Sequence, residues 1–295
     1  MVQLKRDVVF LNGELLPLDE AKVPVLDRGF IFGDGVYELV PVYSRVPFRL
    51  DEHLARLERS LGEAKIRNPY SRSRWREIIY QLIDAQPFED QGVYFQVTRG
   101  VAKRDHAFPK DAQPTVFMMS SPLVNPPREL VEAGASAVSA EDNRWHRCDI
   151  KSISLIGNCL LRQVSADAGA VETILFRAGI LTEASASNVF VVKGGVILSP
   201  AKTNLILPGI TYDVIAEIAQ AAGLPLEYRE ISEAEVRAAD EIWVTSSSKE
   251  VLAIVTLDGK PVAGGKPGPL FRRVHALYQE FKQKVMRAGK ERQAA

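Results

Sequence analysis

Alternating and helically spaced apolar residues divide the first part of the chain into recognisable elements. Residues 8–11 and 14–16 flank Asn12-Gly13, a pair that tolerates the positive φ angles of a tight hairpin turn. Apolar and polar residues alternate between Gly92 and Gly100, as expected for a strand with one buried face. The pattern therefore predicts a hairpin and further strands, including residues 37–43 and 115–119.

Two amphipathic helices are predicted between these strands. The first has an apolar stripe at helical spacing, formed by Leu54, Leu57, Leu61 and Ala64. Asp51 is expected to cap this helix, and Ser71 to cap the second. On the same spacing Arg56 falls on the opposite face, one turn after Glu52, which predicts a solvated ion pair on the protein surface.

Short strand-like runs separated by glycines dominate the second half. They cover residues 136–140, 173–176, 189–192, 196–198, 226–231, 241–245 and 251–257, and such a series is typical of a meandering or barrel-like sheet. Helices are expected at 156–168, carrying Leu160, Leu161 and Val164, after Gly209, and at 270–286. Ser232 and Glu235 have the spacing of a capping box.

Three prolines fall within a few residues and mark the best candidate for a linker. They are Pro122, Pro126 and Pro127. The length of 295 residues suits two domains. We therefore predict a small α+β domain over 1–120, a linker over 121–130, and a larger domain over 131–295.

The charge and cysteine content exclude several classes of partner. Lysine plus arginine balances aspartate plus glutamate at 37 each, so no global field attracts nucleic acid or a membrane. The two cysteines, Cys148 and Cys159, lack the spacing of a metal site and are too few for a disulfide framework. No signal segment or long apolar span is found, which favours the cytoplasm.

Candidate chemistry is concentrated in the second half of the chain. Lys151 follows Cys148-Asp149-Ile150 and could form a Schiff base, because the charges of Arg144 and Arg147 would favour a neutral amine. Gly209-Ile210-Thr211 begins a helix whose free N–H groups could bind an anion. Further candidates are Ser246 and Ser247 as phosphate donors and Glu183 as a partner for a pyridine nitrogen. Taken singly, these residues could equally be a solvated lysine, helix or turn caps, and a loop glutamate.

Several stretches together resemble the D-amino acid aminotransferases, which are pyridoxal-phosphate enzymes of fold type IV. The stretches are DRGFIFGDGVYE (27–38), YFQVTRG (94–100), RDHAFP (104–109), RWHRCDIKS (144–152), TEASASNVF (182–190) and GIT (209–211). The resemblance implies a two-domain fold of mixed helices and strands, with a small N-terminal α+β domain and a larger C-terminal pseudo-barrel domain.

The resemblance also implies a role for individual positions. Lys151 would carry the Schiff base to pyridoxal 5'-phosphate and move the substrate proton, and Glu183 would pair with the pyridine nitrogen. The remaining cofactor contacts would come from Arg56, Leu207, Ile210, Thr211, Ser246 and Ser247. Tyr37, Arg104 and His106 would bind the substrate carboxylate, for which a planar guanidinium is well shaped.

The implied reaction moves the amino group of a D-amino acid, such as D-alanine or D-glutamate, to 2-oxoglutarate or pyruvate in a ping-pong cycle. A homodimer is implied as well, and no metal is required. Within the same fold the alternatives are an L-branched-chain aminotransferase and an aminodeoxychorismate lyase, and a cofactor-binding protein without turnover is the alternative of another class. The chain departs from the pattern at Ala186, where close relatives tend to have serine.

Overall fold

The computed structural model describes residues 7–288, and tertiary contacts divide the chain into two units. The first unit takes in the chain up to Leu123, the segment Ile150–Leu155 and the chain from Met286. The second is made of Val124–Asp149 and Ile156–Val285. Contact units and independently folding domains are different things, so the domain boundaries from sequence stay a prediction. The first six residues, on which the absence of a signal segment partly depends, lie outside the described range.

A six-stranded antiparallel sheet forms the centre of the first unit, in the order β2-β1-β6-β5-β3-β4. The strands are β1 (Val8–Leu11), β2 (Glu14–Pro17), β3 (Gly35–Tyr43), β4 (Val46–Pro47), β5 (Gln91–Thr98) and β6 (Thr115–Pro122). The helices are α1 (Arg28–Phe32), α2 (Leu50–Glu63) and α3 (Arg72–Ala85). The predicted hairpin, strands and two long helices are all confirmed.

The core of the first unit lies between this sheet and helices α2 and α3. Leu54, Leu57 and Leu61 of the predicted stripe are buried, as are Val93, Phe95 and Val97 of β5. Ser71 accepts a hydrogen bond from the Arg74 N–H, which confirms this cap. Asp51 does not cap α2: the helix begins at Leu50 after Arg49, whose left-handed backbone (φ 50°) ends the preceding turn.

The second unit is built on a nine-stranded mixed sheet that curls into a half-barrel. Its strands are β7 (Ala135–Glu141), β8 (Glu172–Arg177), β9 (Ile180–Ala184), β10 (Asn188–Lys193), β11 (Val196–Ser199), β12 (Leu226–Tyr228), β13 (Glu241–Ser246), β14 (Glu250–Leu257) and β15 (Lys260–Pro261). The helices are α4 (Arg128–Ala133), α5 (Ile156–Asp167), α6 (Ile210–Ala221), α7 (Glu233–Arg237) and α8 (Pro269–Phe281). The mixed α and β architecture with a pseudo-barrel, inferred from the resemblance, is confirmed.

Several details of the second unit differ from the prediction: helix α4 begins inside the predicted linker, and β12 ends at Tyr228 and not at residue 231. Strand β9 was missed, because two residues, Ala178 and Gly179, suffice for the turn that joins it to β8. The tail helix ends at Phe281 and continues as a π-helical turn, Lys282–Met286. The predicted helix α5 is confirmed; of the three apolar residues named on it Leu161 is buried, whereas Leu160 is 64% and Val164 is 42% exposed. The capping box of Ser232 and Glu235 is confirmed. Over residues 7–288 no helix combines the length and apolar character needed to cross a membrane.

Candidate active site

Lys151 is held beside the first residues of strand β3 by backbone pairing. Its carbonyl oxygen accepts the N–H of Tyr37 at 2.9 Å, and Ser152 forms a β-bridge with Val36. The Lys151 N–H donates to the Ser60 hydroxyl of α2 at 3.3 Å. The ammonium nitrogen then lies 4.1 Å from the centre of the Tyr37 ring. The structure therefore brings together Lys151 and Tyr37, two of the residues singled out in the sequence.

Arg56 is buried, contrary to the prediction of a solvated pair with Glu52. Its Nε and Nη2 atoms donate to the two carboxylate oxygens of Glu38 at 2.7 and 2.8 Å. The other Glu38 contact is His53 Nδ1, 2.8 Å from Oε2. Burial alone would raise the pKa of Glu38, but the Arg56 charge and these hydrogen bonds hold it well below its usual range. Glu38 is therefore an ionised, fully paired anchor for Arg56.

The loop that carries Arg104 and His106 is exposed and has no regular secondary structure. Both side chains contact one ring: the Arg104 guanidinium lies 5.4 Å from the centre of Phe32, and the His106 ring centre is also 5.4 Å away. Tyr37, by contrast, contacts Tyr94 and Lys151. The predicted carboxylate trio is thus found in two groups, Arg104 with His106 and Tyr37 with Lys151.

Glu183 lies on strand β9 and not in a loop before a strand. It is 5% exposed, and both carboxylate oxygens are occupied. Oε1 accepts from Arg144 Nη1 at 2.7 Å, and Oε2 accepts from the Leu207 N–H at 3.0 Å and from Asn188 Nδ2 at 3.3 Å. The acid is therefore fixed in orientation by three donors from three segments of the second unit.

Asp142 completes this buried group. Its two oxygens accept from Nε and Nη2 of Arg144, each at 2.9 Å, and Oδ2 also accepts from the Thr182 hydroxyl at 2.8 Å. Arg147 pairs with Asp149 at 3.1 Å. Both arginines that were expected to act on Lys151 are thus bound to carboxylates within the second unit, so their charges are compensated locally.

The two carboxyls of this buried group have very different pKa values. Burial raises the pKa of Glu183 to about 7, against the opposing charge and hydrogen bond of Arg144. Burial acts in the same direction on Asp142, but its two bonds to Arg144 prevail and lower its pKa to about 2. The pKa of Arg144 is raised by Asp142 and Glu183 despite burial. Glu183 can therefore gain or lose a proton near neutral pH, whereas Asp142 stays ionised.

The N-terminus of α6 leaves its first amide groups without a side-chain cap. Gly209 is the residue before the helix and supplies no side-chain hydrogen bond to the amide groups of the first turn. Ile210 and Thr211 are both 8% exposed. A Cβ on Gly209 would lie 2.2 Å from Asn188 Oδ1, so glycine is needed for this close approach. Uncapped amides and the Thr211 hydroxyl are donors that a phosphate group can use.

The turn between β13 and β14 places Ser246 and Ser247 at half-buried positions. The Ser246 hydroxyl accepts from the Lys249 N–H at 3.1 Å and therefore stabilises the turn. The Lys249 ammonium lies 3.4 Å from Glu172 Oε2, and Glu172 Oε1 accepts the N–H of Ala186 at 2.6 Å. The backbone at Ala186 is thus held in place although its side chain has no hydroxyl.

The sequence analysis missed three partners of the candidate site residues: Asp142, Asn188 and Glu38. Asp142 and Arg144 are two residues apart, which puts opposite charges on the same side of an extended segment, a signal that could have been used. His53, Arg56 and Ser60 likewise form a second stripe at helical spacing beside the leucines of α2. Asn188 lies only five residues from Glu183, but its other partner, the Leu207 carbonyl, is 19 residues away and is brought near it by the fold.

Comparison with known proteins gives the family. The model of the amino-transferase class IV family matches residues 35–257. The D-alanine aminotransferase of Bacillus licheniformis is 39% identical over 271 residues, covering 92% of this chain and 95% of that protein. The D-alanine aminotransferase of Listeria monocytogenes (serotype 1/2a, strain 10403S) is 39% identical over 284 residues, covering 95% and 96%.

A solved structure shows the same fold. It is the branched-chain aminotransferase of the thermophilic archaeon Thermoproteus uzoniensis with norvaline, at a TM-score of 0.86 and 26% identity, covering 97% of this chain and 96% of that chain. The family match extends over most of the chain and includes Tyr37, Arg56, Lys151, Glu183 and Thr211. The chain therefore belongs to the amino-transferase class IV family and is an aminotransferase of fold type IV.

Proposed function

We propose that this aminotransferase uses pyridoxal 5'-phosphate to move the amino group of a D-amino acid, such as D-alanine or D-glutamate, to 2-oxoglutarate or pyruvate. The observation that carries the proposal is the 39% identity, over 92% of the chain, to a protein known as a D-alanine aminotransferase. Arg104 and His106 support the D-amino acid assignment: they contact one ring on one loop, and the resemblance associates this Arg-x-His pair with the D-amino acid branch of the fold.

The residues of each unit fit the cofactor. The uncapped start of α6, with Ile210 and Thr211, is suited to its phosphate, and Ser246, Ser247 and Arg56 would add donors. Leu207 would contribute through its backbone, whose N–H orients Glu183. When bound, pyridoxal 5'-phosphate supplies an aldehyde that condenses with amines and a ring that withdraws electrons from the substrate Cα.

Lys151 would be the catalytic residue. Its amine would bind the cofactor aldehyde between turnovers, and during turnover it would take the proton from the substrate Cα and return it to the product side. Pairing with Tyr37 through the backbone and the ring fixes where this amine can reach. A base held on one side of the substrate removes only a hydrogen that faces it, so the stereochemistry would follow from orientation of the substrate.

Glu183 would hold the ring nitrogen of the cofactor in its protonated state. The Arg144 and Leu207 bonds keep the carboxylate oriented, and a pyridinium nitrogen would stabilise the ionised form of a carboxyl whose pKa burial has raised to about 7. Tyr37, Arg104 and His106 would bind the substrate carboxylate. The common contact of Arg104 and His106 with Phe32 supports their part of this grip.

A spectral half-reaction tests the proposal. Purified protein loaded with pyridoxal 5'-phosphate is mixed separately with D-alanine and L-leucine, and the visible absorbance of the bound cofactor is followed. Bleaching with D-alanine and the release of pyruvate, followed by recovery with 2-oxoglutarate, is the expected result. Bleaching with L-leucine alone would indicate a branched-chain enzyme, and pyruvate formed from aminodeoxychorismate without an acceptor would indicate the lyase. Binding without any spectral change would indicate a protein without turnover.

Substitution of the lysine tests its role. Lys151→Ala should lower transamination by about a thousandfold or more, because both the covalent anchor and the proton carrier are lost. Binding of pyridoxamine 5'-phosphate, followed by fluorescence, should persist. Lys202→Ala is the matched control, since Lys202 also lies over a tyrosine ring, at 5.6 Å from Tyr212, but is 45% exposed. Full turnover by Lys151→Ala would refute the assignment.

The proposal extends to a cytoplasmic homodimer. Ile156, Leu160 and Val164 form an exposed apolar row on α5, at 74%, 64% and 42% exposure. Such a row on a helix favours association with another chain. Cys148 and Cys159 are both free thiols, which suits a reducing compartment. Light scattering of the purified protein should give the mass of two chains, and Leu160→Glu should shift it toward that of one.

A further inference from the structure

Arg28 is a buried arginine whose guanidinium reaches the loop of residues 104–108. Only 3% of Arg28 is exposed. Its Nη1 atom donates to the carbonyl oxygens of Asp105 and Ala107, at 2.5 and 3.4 Å, and Nη2 donates to that of His106 at 3.4 Å. One side chain therefore binds three consecutive peptide carbonyls. These bonds use the backbone alone, so the side chains of the loop remain available to a ligand.

Asp34 holds Arg28 in this position. Its carboxylate accepts a hydrogen bond from Nε of Arg28 at 2.7 Å and two more from Nε and Nη2 of Arg99 at 2.8 and 2.9 Å. Arg99 in turn donates to the carbonyls of Ala64 and Lys65 after α2. Burial would raise the pKa of Asp34, but the two arginines lower it, so the carboxylate stays ionised. The Arg28 guanidinium is thus engaged by Asp34 and by the loop carbonyls, which leaves the binding of a substrate anion to the side chains of the loop.

Aromatic contacts hold the side chains of the same loop. The Arg28 guanidinium lies 4.8 Å from the centre of the Phe32 ring, the ring that Arg104 and His106 also contact. At the far end of the loop, Phe108 lies under the Arg99 guanidinium at 3.6 Å. Arg28 and Arg99, joined by Asp34, therefore hold both the backbone and the ring of a segment that has no regular structure of its own.

We propose that Arg28 is the positioning residue for the substrate carboxylate: by binding the carbonyls of residues 105–107 it fixes the orientation of Arg104 and His106. This inference rests on the proposed function, in which these two residues bind the carboxylate. The physical reason is the entropy of the loop, because an exposed segment must otherwise be ordered each time the substrate binds. Preorganised donors avoid that cost.

The test compares three variants of the cofactor-loaded enzyme. Arg28→Met removes the three carbonyl bonds, and Asp34 keeps Arg99 as its partner, so no buried carboxylate is left without a cation. Arg28→Lys keeps the charge but has no planar fork. Arg45→Met is the matched control, because Arg45 also donates to three carbonyls, those of Ile83, Gln86 and Phe88, in a different loop.

Hydrogen exchange reports on the loop and kinetics report on the substrate. In Arg28→Met, amide exchange of residues 101–110 should rise at least about tenfold, and KM for D-alanine should rise about tenfold with kcat changed less than threefold, since one charged hydrogen bond is worth about a factor of ten or more. The visible spectrum of the cofactor should not change. KM of Arg28→Lys should lie between that of Arg28→Met and that of the wild type. Arg45→Met should leave both the exchange of this loop and KM as in the wild type.

A double substitution separates the two hypotheses. If Arg28 acts through Arg104, then Arg28→Met should change KM less than twofold when it is added to Arg104→Met. The positioning role would be overturned if KM of the double variant rose by the product of the two single factors. Unchanged amide exchange of the loop in Arg28→Met would overturn it as well. Faster exchange with wild-type KM, in an enzyme where Arg104→Met also has wild-type KM, would refute the proposed carboxylate site and with it this inference. A wild-type enzyme inactive on every D-amino acid would refute the proposed function, and the exchange result would then test the loop contact alone.

Discussion

Arg144 donates one guanidinium N–H to Glu183 at 2.7 Å while its other edge binds Asp142 through two bonds of 2.9 Å. The two carboxyls come from different segments, and each is at most 6% exposed at its side chain. Arg144 therefore bridges two buried acids, and Arg177 Nη2, 3.1 Å from Asp142 Oδ1, gives Asp142 a second cation. Asp142 accepts two parallel hydrogen bonds from Arg144, which lower its pKa to about 2. Glu183 accepts only one, and burial raises its pKa to about 7.

Removing Arg144 should destabilise the protein strongly. Arg144→Met leaves Glu183 and Asp142 buried beside each other with less compensation, and breaking such a buried pair costs about 3–5 kcal/mol of the free energy of unfolding. Denaturant unfolding of the cofactor-free protein measures it. Arg147→Met is the control in the same segment: its pair with Asp149 is 42% exposed on the arginine side, so a change below about 1 kcal/mol is expected. Equal effects of the two substitutions would contradict this account.

The stability of the cofactor-free protein should depend on pH through Glu183. Burial raises the pKa of its carboxyl from 4.5 to about 7, so between these values the folded state holds a proton that the unfolded state has released. The resulting contribution is complete below pH 4.5 and is lost as the pH rises through 7, with a total on the order of 3 kcal/mol.

Glu183→Gln isolates this contribution, because its side chain does not titrate. The difference in unfolding free energy between wild type and variant, measured at steps from about pH 5 to about pH 8, should become less favourable to the wild type as pH increases. A difference that is constant with pH would show that Glu183 keeps an ordinary pKa in the folded protein.

Gly209 should not tolerate a side chain, although its backbone would allow one. The φ of −75° is ordinary for any residue, but a Cβ would meet Asn188 Oδ1 at 2.2 Å. Asn188 also donates to the Leu207 carbonyl at 2.8 Å and to Glu183 at 3.3 Å, so displacing it disturbs the support of the acid. Gly209→Ala should cost about 1–3 kcal/mol of unfolding free energy.

The matched control for this substitution is Gly62→Ala, in the last turn of α2. Apart from the neighbouring residues and the backbone of α2 itself, no described atom lies within 4 Å of a Cβ at Gly62, so alanine should raise stability by roughly 0.5 kcal/mol through lower backbone entropy of the unfolded chain. Thermal unfolding of both variants checks the pair. A neutral Gly209→Ala would mean that Asn188 can move without loss.

The sequence by itself determined the elements and the family. Helical spacing in α2 and α3, alternation in β5, the turn at Asn12 and the capping box of Ser232 were all readable, because each depends on residues that are close along the chain. The motifs around Lys151 and Glu183 sufficed to identify an aminotransferase of fold type IV. Their individual roles remain proposals that the substitutions above address.

Only the tertiary structure decided which charges are buried and what they bind. Arg56 pairs with Glu38 from 18 residues away, and Arg144 with Glu183 from 39. Likewise, Leu160 and Val164 lie on an apolar row at helical spacing and are exposed, because periodicity shows which face is apolar and not whether another element covers it. Local spacing contains no information on contacts between distant segments, and those contacts orient the candidate acid, anchor Arg56 and hold the loop of Arg104 and His106.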